Sequence, residues 1–412
     1  MHPNTEGNSG VVPKAAQAQL WGKRAVSVLI LIAVLFIGIG IGDGRIRLTK
    51  QYSGNGVTGL PKTLNYTSVN DVYDALKANY NGKLTEQQVT DGLKHGLAEA
   101  TNDPYTEYFT PKEAKDFNNE LNNSFSGIGA ELGQDKDKNI IVVSPISGFP
   151  ADKAGLKAQD IVTSIDGTST TGMSIDDAVS KIRGPKGTVV KLGIVRDHAQ
   201  TLTISVTRDT IQLPSVNTKT LDGNIGYLQI TSFSNDTSKL AQDAADKFKA
   251  AHVKGIVLDL RNDPGGLLDA AVDVSSLWVP EGKTIVDERG TGGNTNHSAT
   301  GNSELGNIPT VVLVNAGSAS AAEITAGALH DNKEAYVIGE KSYGKGVVQQ
   351  LLNFPDGSQL KVTVASWFRP NGQNINHKGI TPDQTVKEPN NATPTNDPQK
   401  DAAVTYLQSK IQ

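Results

Sequence analysis

No cysteine occurs anywhere in the chain. That removes thiol catalysis, zinc–thiolate sites and disulfide support at once. The seven histidines include no H-E-x-x-H string and no clustered pair, so no metal site and no cofactor is indicated. A large excess of either charge is lacking too. The formal net charge is −4, and no basic run follows Lys23-Arg24, which argues against nucleic acid as a partner. There is no internal repeat. Long apolar runs are absent with one exception.

That exception is Ala25 to Gly42, which carries no charge and is almost wholly apolar. It has about the length needed to cross ~30 Å of hydrocarbon. Lys23 and Arg24 stand directly before it, and positive charge stays in the cytoplasm, so the bulk of the chain is expected outside. The reading is a single-pass anchor at residues 25–42 in a cell membrane of bacterial envelope type, behind a cytoplasmic tail at 1–24. A cleaved signal peptide is the rival, since Gly38, Gly40 and Gly42 are small enough for a processing site, but no clear A-x-A pattern follows. Residues 43–62, rich in Gly, Asn and Pro, read as a linker.

From Ser68 to Ala100, Val69, Val72 and Leu76, then Val89, Leu93 and Leu97, recur at helical spacing. Asn81-Gly82 divides them into two helices, and residues 63–120 form a helical region. Between 121 and 210 the texture is mostly β. Runs at 140–143, 161–165, 189–196 and 201–207 are separated by turn residues, with one helical segment at 175–182. Beyond Gly223 strands alternate with helices: 226–230, 255–260, 310–314 and 336–339 against 240–250, 267–277 and 321–330. This predicts an α/β layer with a partly parallel sheet across 211–390. A strand pair at 347–354 and 360–368 closes it, and a short helix at 402–411 lies in the tail, 391–412.

Two segments carry chemistry: Asn315 to Glu323, with Ser318 and Ser320 among small residues before a helical run, and Gly339 to Gly346, with Lys345 between two glycines. A serine hydroxyl becomes a nucleophile when a base removes its proton, and lysine can be that base only where it is held neutral in a dry pocket. Small neighbours would let either Ser318 or Ser320 be approached. Ser320 lies nearer the helix start, whose partial positive charge favours a developing oxyanion. Taken singly, both serines read as helix caps and Lys345 as a surface lysine. The lysine segment also fits G-x-x-x-x-G-K, but Gly346 stands where a phosphate-binding loop needs a hydroxyl. Ser342-Tyr343-Gly344-Lys345 spells S-x-x-K, yet neither S-D-N nor K-T-G occurs, and the glycines oppose a helix.

Four segments in order resemble the carboxy-terminal processing, or tail-specific, serine proteases of peptidase family S41: Ser126–Leu132, Asp259–Gly266, the serine segment and the lysine segment. The resemblance covers roughly residues 65 to 390. It implies an α/β protease core of crotonase-like or ClpP-like type, with an inserted, mostly-β PDZ domain and an N-terminal helical region behind the transmembrane helix. It places the nucleophile at Ser320, the general base at Lys345 and an amine-orienting amide at Gln349. The oxyanion hole falls to Gly265 or Gly266 together with the amide of Ala321, because a backbone N–H must point into the site and a side chain would obstruct it. Glu323 matches a recurrent acidic position. It should not meet the Lys345 amine, since an ion pair would keep the base charged.

In the inserted domain the loop Gly127-Ile128-Gly129-Ala130 would hold a substrate's terminal carboxylate while the peptide adds as a strand, with the helix at 175–182 as the other wall. Ala130 stands where a larger apolar residue is common. The partners implied are protein or peptide substrates with free C-termini, the membrane, and a second copy paired through terminal helices. Peptide capture is expected to shift the PDZ domain and open the site. The alternative from another class is an inert PDZ scaffold that holds peptide tails at the membrane.

Overall fold

The computed structural model describes residue 61 and residues 63–197, 199–301, 303–389 and 396–411. The expected tail, anchor and nearly all of the linker lie outside the described residues. Among the described residues no helix is long and apolar enough to cross a membrane.

Two helices, Tyr66–Asn79 and Glu86–Glu99, open the described chain. The second starts with reciprocal capping: Thr85 Oγ1 accepts from the Gln88 amide at 3.2 Å, and Gln88 Oε1 accepts from the Thr85 amide at 2.9 Å. Of their side chains only Ala98 is buried. Strand Glu107–Phe109 and helix Pro111–Leu121 follow.

The small β domain hangs on a two-stranded ribbon. Strand Ser124–Gly127 leads in and Asp209–Gln212 leads out, paired antiparallel from Ser124 with Gln212 to Gly127 with Asp209. Between them, Ala130–Gln134, Ile140–Pro145, Ile161–Ile165, Val189–Arg196 and Gln200–Thr207 form one antiparallel sheet. Ile140, Val142, Val190, Leu192 and Ile194 fill its core, and helix Ile175–Ile182 packs beside it. Gly127 thus belongs to the ribbon, and the loop proper is Ile128-Gly129.

The large domain is built on a six-stranded sheet in the order Val216–Leu221, Ile225–Ile230, Gly255–Asp259, Thr310–Val314, Tyr336–Gly339, Gln384–Thr385. All neighbours are parallel except the first pair. Gly255–Asp259 and Thr310–Val314 are buried at every position, as central strands covered on both faces must be. Helices Thr237–Ala250, Leu268–Ser276 and Ala321–Asp331 pack into the cluster on one face, and Ala403 and Leu407 of helix Pro398–Gln408 join the other.

A second sheet holds Glu107–Phe109, Gln359–Phe368, Thr284–Gly290 and Gly293–Ser298 in order, with Val347–Asn353 on Gln359–Phe368. The Thr284–Ser298 hairpin and the Glu107–Phe109 strand are additions to the sequence reading. The terminal helix also starts earlier than the expected 402. Asp397 caps it by accepting the Lys400 amide at 3.0 Å, and Pro398 sits at its first position, where a missing N–H costs nothing.

Candidate active site

Two adjacent parallel strands deliver the serine and glycine turns to the same end of the sheet. Gly255–Asp259 runs into Arg261–Gly266, and Thr310–Val314 into Asn315–Ser320. Asn315 fastens the turns together: its Oδ1 accepts from the amides of Asn262 and Gly317 at 2.9 and 3.0 Å, and its Nδ2 donates to Asn262 Oδ1 at 2.9 Å. Ser318 is fully buried. Its hydroxyl donates to Leu260 O at 2.7 Å and accepts from the Asn315 amide at 3.0 Å. That hydroxyl is committed to the scaffold.

Ser320 is different. It precedes helix Ala321–Asp331 with φ 50° and ψ −117°, a strained backbone for a residue with a side chain, and borders a cavity of about 400 Å³. The cavity also touches Ala321, Gly265, Gly266, Lys345 and Gln349. All six residues assigned to the protease chemistry therefore meet in one place. Gly127, Ile128, Gly129 and Ala130 lie apart, in the small domain.

Gly266 must lack a side chain, because a Cβ there would stand 2.0 Å from Phe233 O. At Gly265 it would stand 2.7 Å from the Ser320 Cβ. The Gly265 amide is occupied by Asp263 Oδ1 at 2.8 Å. The amides of Gly266 and Ala321 have no acceptor among the described residues.

Glu323, fully buried, ties the lysine loop to the serine helix. Its Oε2 accepts from the backbone amides of Ser320 and Lys345 at 3.0 and 2.9 Å; its Oε1 accepts from the Gly344 amide and the Ser342 hydroxyl at 2.8 and 2.5 Å. Burial raises its pKa, and the four donors oppose the rise. The carboxylate thus grips the main chain of Lys345, and among the described residues the amine has neither hydrogen bond nor ion pair. Burial lowers the pKa of Lys345, Lys361 lowers it further, and Asp103 and Glu323 pull the other way. From the far side Trp367 Nε1 donates to Lys345 O at 2.8 Å. Gln349 Nε2 reaches Thr363 Oγ1 at 3.4 Å.

Sequence reasoning missed Asp103, Tyr105, Lys361 and Trp367 around the lysine, and Phe117 and Leu121 of the N-terminal region on the cavity wall. Only a general signal existed for them: a base that must stay dry needs apolar cover. A second cavity of about 400 Å³ lies over the Tyr227–Asp259–Arg261–Asp397 network. There Arg261 is hydrogen-bonded to both carboxylates at 2.6 to 3.2 Å, an arrangement that fastens the terminal helix to the sheet. Among the described residues no group of three His, Asp or Glu side chains could hold a metal.

In the small domain the Ile128 and Gly129 amides have no acceptor among the described residues, while their carbonyls accept from Ala151 at 2.7 Å and Ile146 at 2.9 Å. Gly129 has φ 72°, and a Cβ there would meet the Phe149 Cβ at 2.5 Å, so the loop requires glycine.

The family model described as "Peptidase family S41" matches residues 224–386, and that of the PDZ domain matches 141–196. The chain is 40% identical over 327 residues to the carboxy-terminal processing protease CtpA of Bacillus subtilis, covering 79% of this chain and 70% of that protein. It is 39% identical over 339 residues to the "Probable CtpA-like serine protease" of Staphylococcus aureus strain N315, covering 81% and 67%. Among solved structures, that of the "Putative S41 protease from Bacteroides fragilis NCTC 9343" shares the fold, with a TM-score of 0.51 at 17% identity over 81% of this chain and 92% of that one. The chain belongs to peptidase family S41 and is a serine protease of the carboxy-terminal processing group.

Proposed function

We propose that the protein is a membrane-anchored, extracytoplasmic endopeptidase that captures protein C-termini in its PDZ domain and cleaves them with Ser320, Lys345 and Gln349. The neutral Lys345 amine takes the Ser320 proton as Oγ attacks the scissile carbonyl carbon. The Gly266 and Ala321 amides receive the oxyanion. The lysine ammonium then passes its proton to the departing amine, and water, deprotonated by the same lysine, releases the acyl group and restores the serine. Gln349 orients the amine without bringing a charge that would hold the proton on it. One observation carries the reading: the Ser320 hydroxyl at a strained turn, a half-buried lysine amine with no ion pair among the described residues and two amides with no acceptor among them share one cavity. The purified full-length chain should degrade an unfolded protein with an apolar C-terminus, and Ser320→Ala or Lys345→Ala should abolish this. Degradation surviving Ser320→Ala removes the assignment, and none by the unmutated chain favours the inert scaffold.

The Ile128 and Gly129 amides, without an acceptor among the described residues, support capture of a terminal carboxylate. The anchor rests on the Ala25–Gly42 run behind Lys23-Arg24. Membrane fractionation, with outside protease digesting the catalytic domain in intact cells, is the test. Pairing of two copies through the N-terminal helices is supported by Val69, Val72 and Leu76 on one and Leu93 and Leu97 on the other, all exposed. Light scattering that returns a monomer at micromolar concentration would end that proposal.

A further inference from the structure

The turn Asp103–Thr106 lies more than a hundred positions before the matched protease segment, yet it reaches the lysine. Lys345 Nζ stands 5.2 Å from the centroid of the Tyr105 ring. The turn is held rigidly. Asp103 Oδ1 accepts from the Tyr105 amide at 3.2 Å, and Asp103 Oδ2 accepts from the Thr106 hydroxyl at 2.7 Å. Thr106 Oγ1 accepts from the Thr363 amide at 3.2 Å. Thr363 is the cross-strand partner of Gln349 and accepts from its side chain. A continuous run of contacts thus joins the amide assigned to orient the amine with the turn that covers it.

We propose that the Asp103–Thr106 turn is a positioning element for Lys345, in which the Tyr105 ring covers the amine and the Asp103 carboxylate supports the ammonium formed during the reaction. The proposal rests on the serine–lysine reading above. Its logic is one of opposed neighbours. Lys361 from strand Gln359–Phe368 and burial both disfavour a charged amine; Glu323 from helix Ala321–Asp331, Asp103 and the Tyr105 face favour it. Tyr343, on the lysine loop itself, faces Tyr105 rather than adding a charge. Burial pushes the Asp103 carboxyl up, but hydrogen bonds from Thr363, Thr106 and the Tyr105 amide, with the Lys345 charge, hold it below its ordinary value, so it is ionised at neutral pH. A base that only burial and Lys361 governed would lose its proton easily but could scarcely accept one from serine. The turn restores enough proton affinity for the transfer, and the ring fixes where the amine sits.

The test is kcat/KM against pH on a quenched fluorescent peptide, using the full-length chain. Activity needs the neutral amine, so it falls as pH drops through the Lys345 pKa. Asp103→Asn removes a counter-charge, and the acid limb should move down by roughly half a pH unit. Tyr105→Leu should move it the same way and lower kcat more than it changes KM, while Tyr105→Phe, which restores the ring, should return the limb to its wild-type position. Lys361→Gln is the control of opposite sign and should move the limb up. Folded Asp103→Asn and Tyr105→Leu proteins with unmoved limbs overturn the proposal. Should Asp103→Asn fail to fold, the Tyr105 pair decides alone. Activity retained by Lys345→Ala, or a wild-type profile with no acid limb, overturns the serine–lysine reading instead.

Discussion

Asp263 has no exposure at all, and while one carboxyl oxygen accepts the Gly265 amide, the other has no partner among the described residues. Burial pushes its pKa up to about 8, so at neutral pH it is protonated and sets no negative charge near the Gly266 amide proposed as an oxyanion donor. Between about pH 4, where an unfolded aspartate ionises, and about pH 8 the folded chain binds a proton that the unfolded chain lacks. This contribution to stability is complete below the unfolded pKa and is lost as pH rises through 8. Asp263→Asn keeps the acceptor for Gly265 and cannot ionise. Its Tm should exceed that of the wild type increasingly from pH 5 to 8, by roughly 2–4 °C per kcal/mol gained, and its kcat/KM should lack the wild-type fall above pH 8. An unchanged alkaline limb would refute the role. The two serines separate just as cleanly. Ser318→Ala leaves the Asn315 amide unpaired and Leu260 O with only the Asp263 amide at 3.4 Å, and should cost about 1–3 kcal/mol in denaturant unfolding while much of the activity remains. Ser320→Ala should be inactive with an unchanged midpoint.

Helix Ala321–Asp331 acts through its first turn, where Glu323 binds four donors with two oxygens. Glu323→Gln preserves the shape but offers only one acceptor oxygen, and its NH₂ must face amide hydrogens. We expect a loss of about 1–3 kcal/mol and a drop in kcat of tenfold or more, since the amides of Ser320 and Lys345 are no longer held by one group. A variant with wild-type kcat and Tm would show that the clamp is dispensable. Trp367→Phe removes the donor to Lys345 O and should cost about 1 kcal/mol while it retains most of the ring. At this scale the sequence was most readable where periodicity is strongest. Thr310–Val314, Tyr336–Gly339, Ile161–Ile165 and helix Ile175–Ile182 match their expected bounds. Hairpin Thr284–Ser298 did not declare itself, because Asp287, Glu288, Arg289 and Asn294 to Asn296 break any alternation, and its pairing depends on residues of Gln359–Phe368 that lie 75 to 81 positions later. The same limit hid Tyr105 beside Lys345, and although the resemblance placed the nucleophile at Ser320, small neighbours left either hydroxyl approachable; the bond from Ser318 to Leu260 O was not legible in the sequence. Local pattern fixes elements; which side chains meet is decided by long-range closure.

At the scale of the molecule, the inserted domain enters and leaves through a ribbon whose strands are already paired at Gly127 and Asp209. The protease sheet therefore does not need the insertion to bring its own ends together, and a short turn can replace residues 128–208, as in an ordinary hairpin. The two domains also keep separate apolar clusters, so the excision exposes little protease core. The helix just before the ribbon, Pro111–Leu121, contributes Phe117 and Leu121 to the cavity that Ser320 and Lys345 border, so a pull on the ribbon has a direct route to it. If the PDZ domain selects C-termini and its movement opens the cavity, the excised protein should stay folded, with a Tm within a few degrees, yet lose most activity on an unfolded protein with a free apolar C-terminus. Amidating that terminus should depress cleavage by the full-length chain and leave the excised form unaffected. Equal rates for the two proteins on both substrates would sever the PDZ domain from catalysis and leave the cavity to act alone.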